Sequence, residues 1–120
     1  MTLQECYDKM GGDYADVSAR LRSEKLVQRF AFKFLDDKSY EMFCAMMAEK
    51  NYEEAFRAAH TIKGVCQNLS FARLLKTSSE MSDALRNGWT PEADALMGRM
   101  EADYQTTVAA IREYKTECER

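Results

Sequence analysis

Apolar residues along this chain recur at steps of three and four, the interval that places side chains on one face of an α-helix. The clearest case is Tyr52 to Leu69, where positions 52, 55, 59, 62, 66 and 69 form an unbroken stripe. Asn51 is placed to cap this helix, with Glu54 three residues on as an N-x-x-E form of the capping box. Upstream, residues 3 to 9 predict a short helix ended by Gly11 and Gly12. Asp13 then caps a second, 14 to 21, with Asp16 in its first turn. Ser23 caps a third, 24 to 35, whose stripe includes Val27, Phe30 and Phe34, while Leu26, Phe32 and Leu35 fall on other faces. The fourth, about 39 to 49, is apolar nearly all round: Tyr40, Phe43, Cys44 and Met47 make one stripe, with Met42 and Met46 beside it. Downstream, Phe71, Leu74, Ser78, Met81 and Leu85 predict a helix from 71 to 87, stopped by Gly88. Thr90 caps and Pro91 opens the last one, striped by Ala93, Met97, Met100, Tyr104, Thr107, Ile111, Tyr114 and Cys118.

A link of only four residues, 87 to 90, makes the last two long helices an antiparallel hairpin. With the fourth helix and the Tyr52 to Leu69 helix, this predicts an all-α fold: an antiparallel up-down four-helix bundle. The whole chain, 1–120, is expected to be one domain, with the bundle in 23–118 and the short helices of 1–22 packed across it. Composition agrees. One proline in 120 residues and 46% hydrophobic content suit a compact bundle, large enough to bury about two thirds of its unfolded surface.

Composition also narrows function. A net charge of −3 and a pI near 5.2 argue against nucleic acid as partner, since no basic stripe is long enough to track phosphates. No run of about 18 apolar residues is present, and MTLQECYDKM lacks the basic-then-apolar order of a signal peptide, so a cytoplasmic protein with no membrane partner is expected. Cysteines 6, 44, 66 and 118 show no CxxC spacing, and one histidine cannot complete a zinc site. Cys44 and Cys66 fall on apolar stripes, where a reduced cysteine acts as a small core residue. No nucleotide-binding glycine loop or kinase Asp/Asn set appears, and the Met and Tyr stripe of the last helix is ordinary core, so no bound cofactor or metal is expected.

The single histidine, His60, is the candidate for chemistry. It lies about 130° around the helix from the apolar stripe and therefore points outward. Lys63 and Gly64, one turn on, share its face, as do Arg57 one turn back and Gln67 two turns on. Histidine ordinarily titrates near pH 6.5, so at neutral pH one ring nitrogen often has a free lone pair that can attack phosphorus. Lys63 at i+3 would offset the negative charge of a phosphoryl group. Gly64 at i+4 costs the helix about 1 kcal/mol relative to alanine, and close approach of a partner to the imidazole gives that cost a reason. A lone histidine on a polar face is more often simply solvated.

The string AAHTIKG, with His60, Lys63 and Gly64 after an alanine pair, resembles the signature of histidine-containing phosphotransfer (HPt) domains. The likeness extends to SEKLVQRFAFKFLDDKSYEMFCAMMAEKNYEEAFRA before it and NLSFARLLKTSSEMSDALRNG after it, and the lead-in MGGDYADVSARL is of a kind seen in stand-alone members. Roughly residues 10 to 115 are covered. The resemblance implies a phosphocarrier, not an enzyme on its own. His60 would accept a phosphoryl group from a response-regulator receiver aspartate and pass it to another receiver in a multistep two-component phosphorelay. Lys63 would be its electrostatic support, Gly64 the steric clearance, and Arg57 and Gln67 partner contacts. The magnesium ion would sit on the receiver domain, and a hybrid histidine kinase is a further partner of the same kind. A monomer is expected, because the histidine face must stay open.

Two departures from the family stand out. Where the family usually turns the chain with a glycine ten residues after the histidine, this chain has Ser70, which takes a positive φ less readily but suits the N-cap of the next helix. Val65 is bulkier than the small residue usual after the glycine. The apolar surplus of the third and fourth helices has two explanations: burial on both sides, or an exposed patch near His60, where family members receive the receiver domain. Two competing functions are a helical adaptor that binds a receiver or other signalling protein without carrying phosphate, and a redox protein using Cys66.

Overall fold

The computed structural model describes all 120 residues and is helical throughout. Seven helices follow in order: α1 Leu3–Met10, α2 Tyr14–Leu21, α3 Glu24–Phe34, α4 Ser39–Ala48, α5 Tyr52–Leu69, α6 Ala72–Leu85 and α7 Pro91–Cys118. Their starts follow capping chemistry. The side chains of Asp13, Ser23, Asn51 and Thr90 each accept the backbone N–H three residues on, satisfying donors that the helix itself leaves open. At Asn51 only half of the expected box forms, because Glu54 turns its carboxylate to Arg57 instead. The complete capping box is at Thr2 and Glu5, which the pattern of apolar residues did not single out.

α4, α5, α6 and α7 form the antiparallel bundle, α5 packing against α4 on one side and α6 on the other, and α6 against α7. The ring closes where Tyr40 of α4 stacks on Tyr104 of α7, with centroids 3.9 Å apart. At 28 residues, α7 is twice the length of α6, so its C-terminal half extends past the bundle and needs its own cover. α1 supplies it. The Met1 ammonium pairs with Glu117, Lys9 with Glu113, and Cys6 Sγ donates to the Ala110 carbonyl. α3 bridges the two layers: Phe34 meets Phe71 and Tyr104 edge-on or tilted, and Phe32 meets Tyr114.

The apolar surplus of α3 and α4 divides between the two explanations. Val27, Ala31, Phe34, Tyr40 and Phe43 are buried, and Phe30, Phe32, Cys44, Met46 and Met47 are half-buried against the core. Met42 is the exception, with 53% of its surface exposed. No helix is long and apolar enough to cross a membrane.

The turn between α5 and α6 differs from expectation. Ser70 is not the N-cap of α6; Phe71 holds that position, without a side-chain capping bond. Ser70 instead ends α5 in the left-handed conformation, φ 56°, and its hydroxyl donates to Asp16 Oδ2 at 2.6 Å. The reason is in the backbone. Ser70 closes α5 in the left-handed conformation with its N–H on the Cys66 carbonyl, so the N-cap position of α6 passes to Phe71, which has no side-chain acceptor to offer.

Candidate functional site

α5 carries the site because its stripe pins one face to the core. Ala55, Ala59, Ile62, Cys66 and Leu69 are buried, together with Ala58, and this fixes the helix rotation so that His60 is exposed. Gly64, one turn further on, is exposed too, and a Cβ built on it would meet nothing within 4 Å. Space beside the imidazole is therefore open on its C-terminal side. On its N-terminal side Phe56 lies against it, ring centroids 5.9 Å apart and planes 26° apart. The guanidinium of Arg86, just past the end of α6, is 5.7 Å from the Phe56 centroid.

The cations on this face differ in their commitments. Arg57 is held by Glu53 at 3.3 Å and Glu54 at 3.1 Å, whereas Lys63 is half-buried and forms no ion pair. Gln67 is exposed at the edge of a groove of about 750 Å³ that runs between α3 and α5. Phe30, Lys33, Phe34, Gly64, Val65 and Leu69 line it, with Arg20 at one end. A second depression, formed by Lys38, Met42, Arg57, Ala58 and Thr61, adjoins it across Thr61. Neither is lined by His60 itself; both lie beside it on α5, with a mixed rim in which Asp37 and Glu54 stand among Lys33, Lys38 and Arg57, a surface suited to a protein partner and too open to enclose a small substrate.

All five residues singled out from sequence thus lie on one exposed face, with His60, Lys63 and Gly64 within a single turn. Phe56 is a site residue outside those five, although its i−4 relation to His60 is a signal that helical spacing carries. Arg86 and Arg20 come from other helices, and no local pattern marks them. Burial pushes the Cys66 thiol well above its ordinary range, with Asp37 adding to the shift, which leaves it a poor nucleophile on the opposite side of α5 from His60. No three His, Cys, Asp or Glu side chains converge as a metal cage.

Neither a curated protein nor a solved structure matches the chain significantly. The family model described as Hpt domain matches residues 18–113, spanning α3 to most of α7 and the whole histidine face. This chain therefore belongs to the Hpt domain family, whose members are histidine phosphocarriers of two-component signalling.

Proposed function

We propose that His60 is the phosphorylated residue, accepting its phosphoryl group from the aspartyl phosphate of a response-regulator receiver domain and returning it to another. The lone pair of one imidazole nitrogen forms the N–P bond as the P–O bond to the aspartyl carboxylate breaks, and that carboxylate leaves with the electron pair. Such a transfer demands positioning and charge neutralisation more than covalent help. Lys63, free of any ion pair, is the cation available to the phosphoryl oxygens. Gly64 leaves room for the receiver's loops. Gln67 and Arg57 are contacts at the edge of the docked surface, and the exposed pairs that hold Arg57 are weak enough to exchange for a partner's carboxylate. Magnesium belongs to the receiver in this reading.

The observation that carries the proposal is the pairing of an exposed His60 with an empty space over Gly64, on a helix whose other face is wholly committed to the core. Met42 and the α3–α5 groove supply the apolar surface for docking, with methionine able to adapt to more than one receiver. The face has to remain open, so in this reading the carrier acts as a monomer in the cytoplasm, with receivers and a hybrid kinase as its partners.

A receiver domain phosphorylated on its aspartate, mixed with wild type and with His60→Gln, tests this. Label moving to the wild type alone, stable to base and labile to acid, is expected. Binding of receivers without transfer to the wild type would replace the carrier with an adaptor that carries no phosphate.

A further inference from the structure

The last turn of α5 is held from outside the bundle. Arg20 of α2 donates from Nη1 to the carbonyls of Gln67 at 2.9 Å and Asn68 at 2.6 Å, while its Nη2 pairs with Asp16. Asp16 accepts the Ser70 hydroxyl. Two further bonds tie the same turn to the N-terminal segment, Tyr7 Oη to the Leu69 carbonyl at 2.7 Å and the Asp13 amide to the Ser70 carbonyl at 2.9 Å, and the Arg73 amide at the start of α6 adds a third, to the Gly11 carbonyl at 3.1 Å. Of these residues Tyr7, Gly11, Asp13 and Asp16 precede the span matched by the Hpt family model, which starts at residue 18.

The chemistry suits a brace. The last four carbonyls of a helix have no partner within it, and a cation placed there satisfies them and opposes the helix dipole. Ser70 holds a left-handed conformation that a non-glycine residue adopts at a cost, so this turn depends on outside bonds more than the rest of α5 does. Gln67, Asn68 and Leu69 in that turn are also the wall of the α3–α5 groove, which continues to Gly64.

We infer that Arg20 is a positioning residue for partner docking: it fixes the last turn of the histidine helix, and with it the groove wall that a receiver meets, without touching His60. The inference rests on the phosphocarrier reading and extends it by assigning the shape of the docking surface to a side chain from α2. A planar guanidinium reaches two carbonyls and a carboxylate together; an ammonium at the same place keeps the charge and loses the fork.

Wild type, Arg20→Ala and Arg20→Lys would be compared in three measurements: amide exchange along α5, single-turnover transfer from a phosphorylated receiver at varied concentration, and direct labelling of His60 by phosphoramidate, a donor too small to need docking. In Arg20→Ala, exchange of the Ser70 and Phe71 amides, both bonded to the Cys66 carbonyl, should accelerate about tenfold while amides 58 to 63 stay protected. Half-saturation by the receiver should rise about fivefold with the maximal rate within about twofold, and phosphoramidate labelling should not change. Arg20→Lys should fall between. Unchanged exchange in Arg20→Ala would overturn the assignment whatever the half-saturation does, since Arg20 also lines the groove and weaker binding alone would make it a direct contact. So would an equal loss of labelling from both donors. If the wild type takes nothing from any receiver, the carrier reading itself fails, an outcome distinct from a wild type and Arg20→Ala that transfer alike.

Discussion

Phe56 and His60 lie one turn apart on α5 with their ring planes 26° apart, and Arg86 reaches from the end of α6 to the same phenyl ring. The phenyl ring restricts the imidazole on its N-terminal side, while the C-terminal side, over Gly64, is open. In the proposed transfer the phosphoryl group comes in over this open side. Phe56→Leu keeps apolar bulk and removes the ring. It should slow labelling of His60 about two- to tenfold, the range expected for losing one ring contact, and should move the His60 ring-proton resonances in the NMR spectrum. Labelling and resonances identical to wild type would remove Phe56 from the site.

Gly64 separates stability from function. It is exposed, in the middle of an 18-residue helix, with nothing near the position a Cβ would take. Gly64→Ala should therefore raise stability by about 0.5–1 kcal/mol, through the higher helix propensity of alanine. Transfer from a receiver should nevertheless fall on the proposed reading, in which the partner docks over Gly64 and the added methyl takes up that clearance. Thermal unfolding and transfer kinetics on the same sample check both halves. A variant both more stable and fully competent would show that the glycine has no role in clearance.

At Ser70 backbone strain and a side-chain bond oppose each other. Ser70→Ala retains the left-handed strain and loses the hydroxyl bond to Asp16; Ser70→Gly loses the bond and the strain together. The glycine variant should be the more stable of the two by about 1 kcal/mol. Acid gives a second check. The Ser70 hydroxyl, followed by Arg20, holds the Asp16 carboxyl below its ordinary value of 3.8. A carboxylate with a depressed pKa stabilises the fold above its unfolded pKa, and that contribution is lost as pH falls through the lower, folded one. The gap in melting temperature between wild type and Ser70→Ala should be full near neutral pH and shrink below about pH 4.

The Ser70 turn also marks where sequence stopped being informative. The span of α5, its capping by Asn51, the outward direction of His60 and the Thr90–Pro91 start of α7 all depend on neighbours within a few residues, and all were legible. Asp16 is 54 residues from Ser70, and Arg20 is 47 from Gln67, so nothing local announced either bond. Helix ends shifted by a residue or two even with a local stop: α6 was expected over 71 to 87, ended by Gly88, but runs Ala72–Leu85, because Phe71 serves as its N-cap and Arg86 as its C-cap. Around His60, the helical period identified Lys63, Gly64, Arg57 and Gln67 as sharing its face. Arg86, brought alongside by the packing of α6 on α5, required the fold.

The four cysteines bear on the competing redox function, which requires Cys66 to react. Cys66 is wholly buried, and desolvation raises its thiol pKa far above the ordinary range; Cys6 is buried too, its thiol pushed up to about 12. Half-buried Cys44 is raised less, again chiefly by desolvation, and Cys118 is exposed. A thiolate is the reactive form, so a raised pKa and lost access act in the same direction. With a neutral alkylating reagent at pH 8, Cys118 should react first and Cys44 more slowly. Cys6 and Cys66 should react only through opening of the bundle, at least about a thousandfold slower than Cys118 for a domain of ordinary stability. Urea sufficient to unfold the chain should bring all four to similar rates, which distinguishes protection by the fold from any intrinsic inertness. Peptide mapping of the modified sites gives the order directly. Fast modification of Cys66 in the native protein would contradict its burial and return the redox function to consideration; slow modification with His60 fully labelled would leave the imidazole as the group on α5 that does the chemistry.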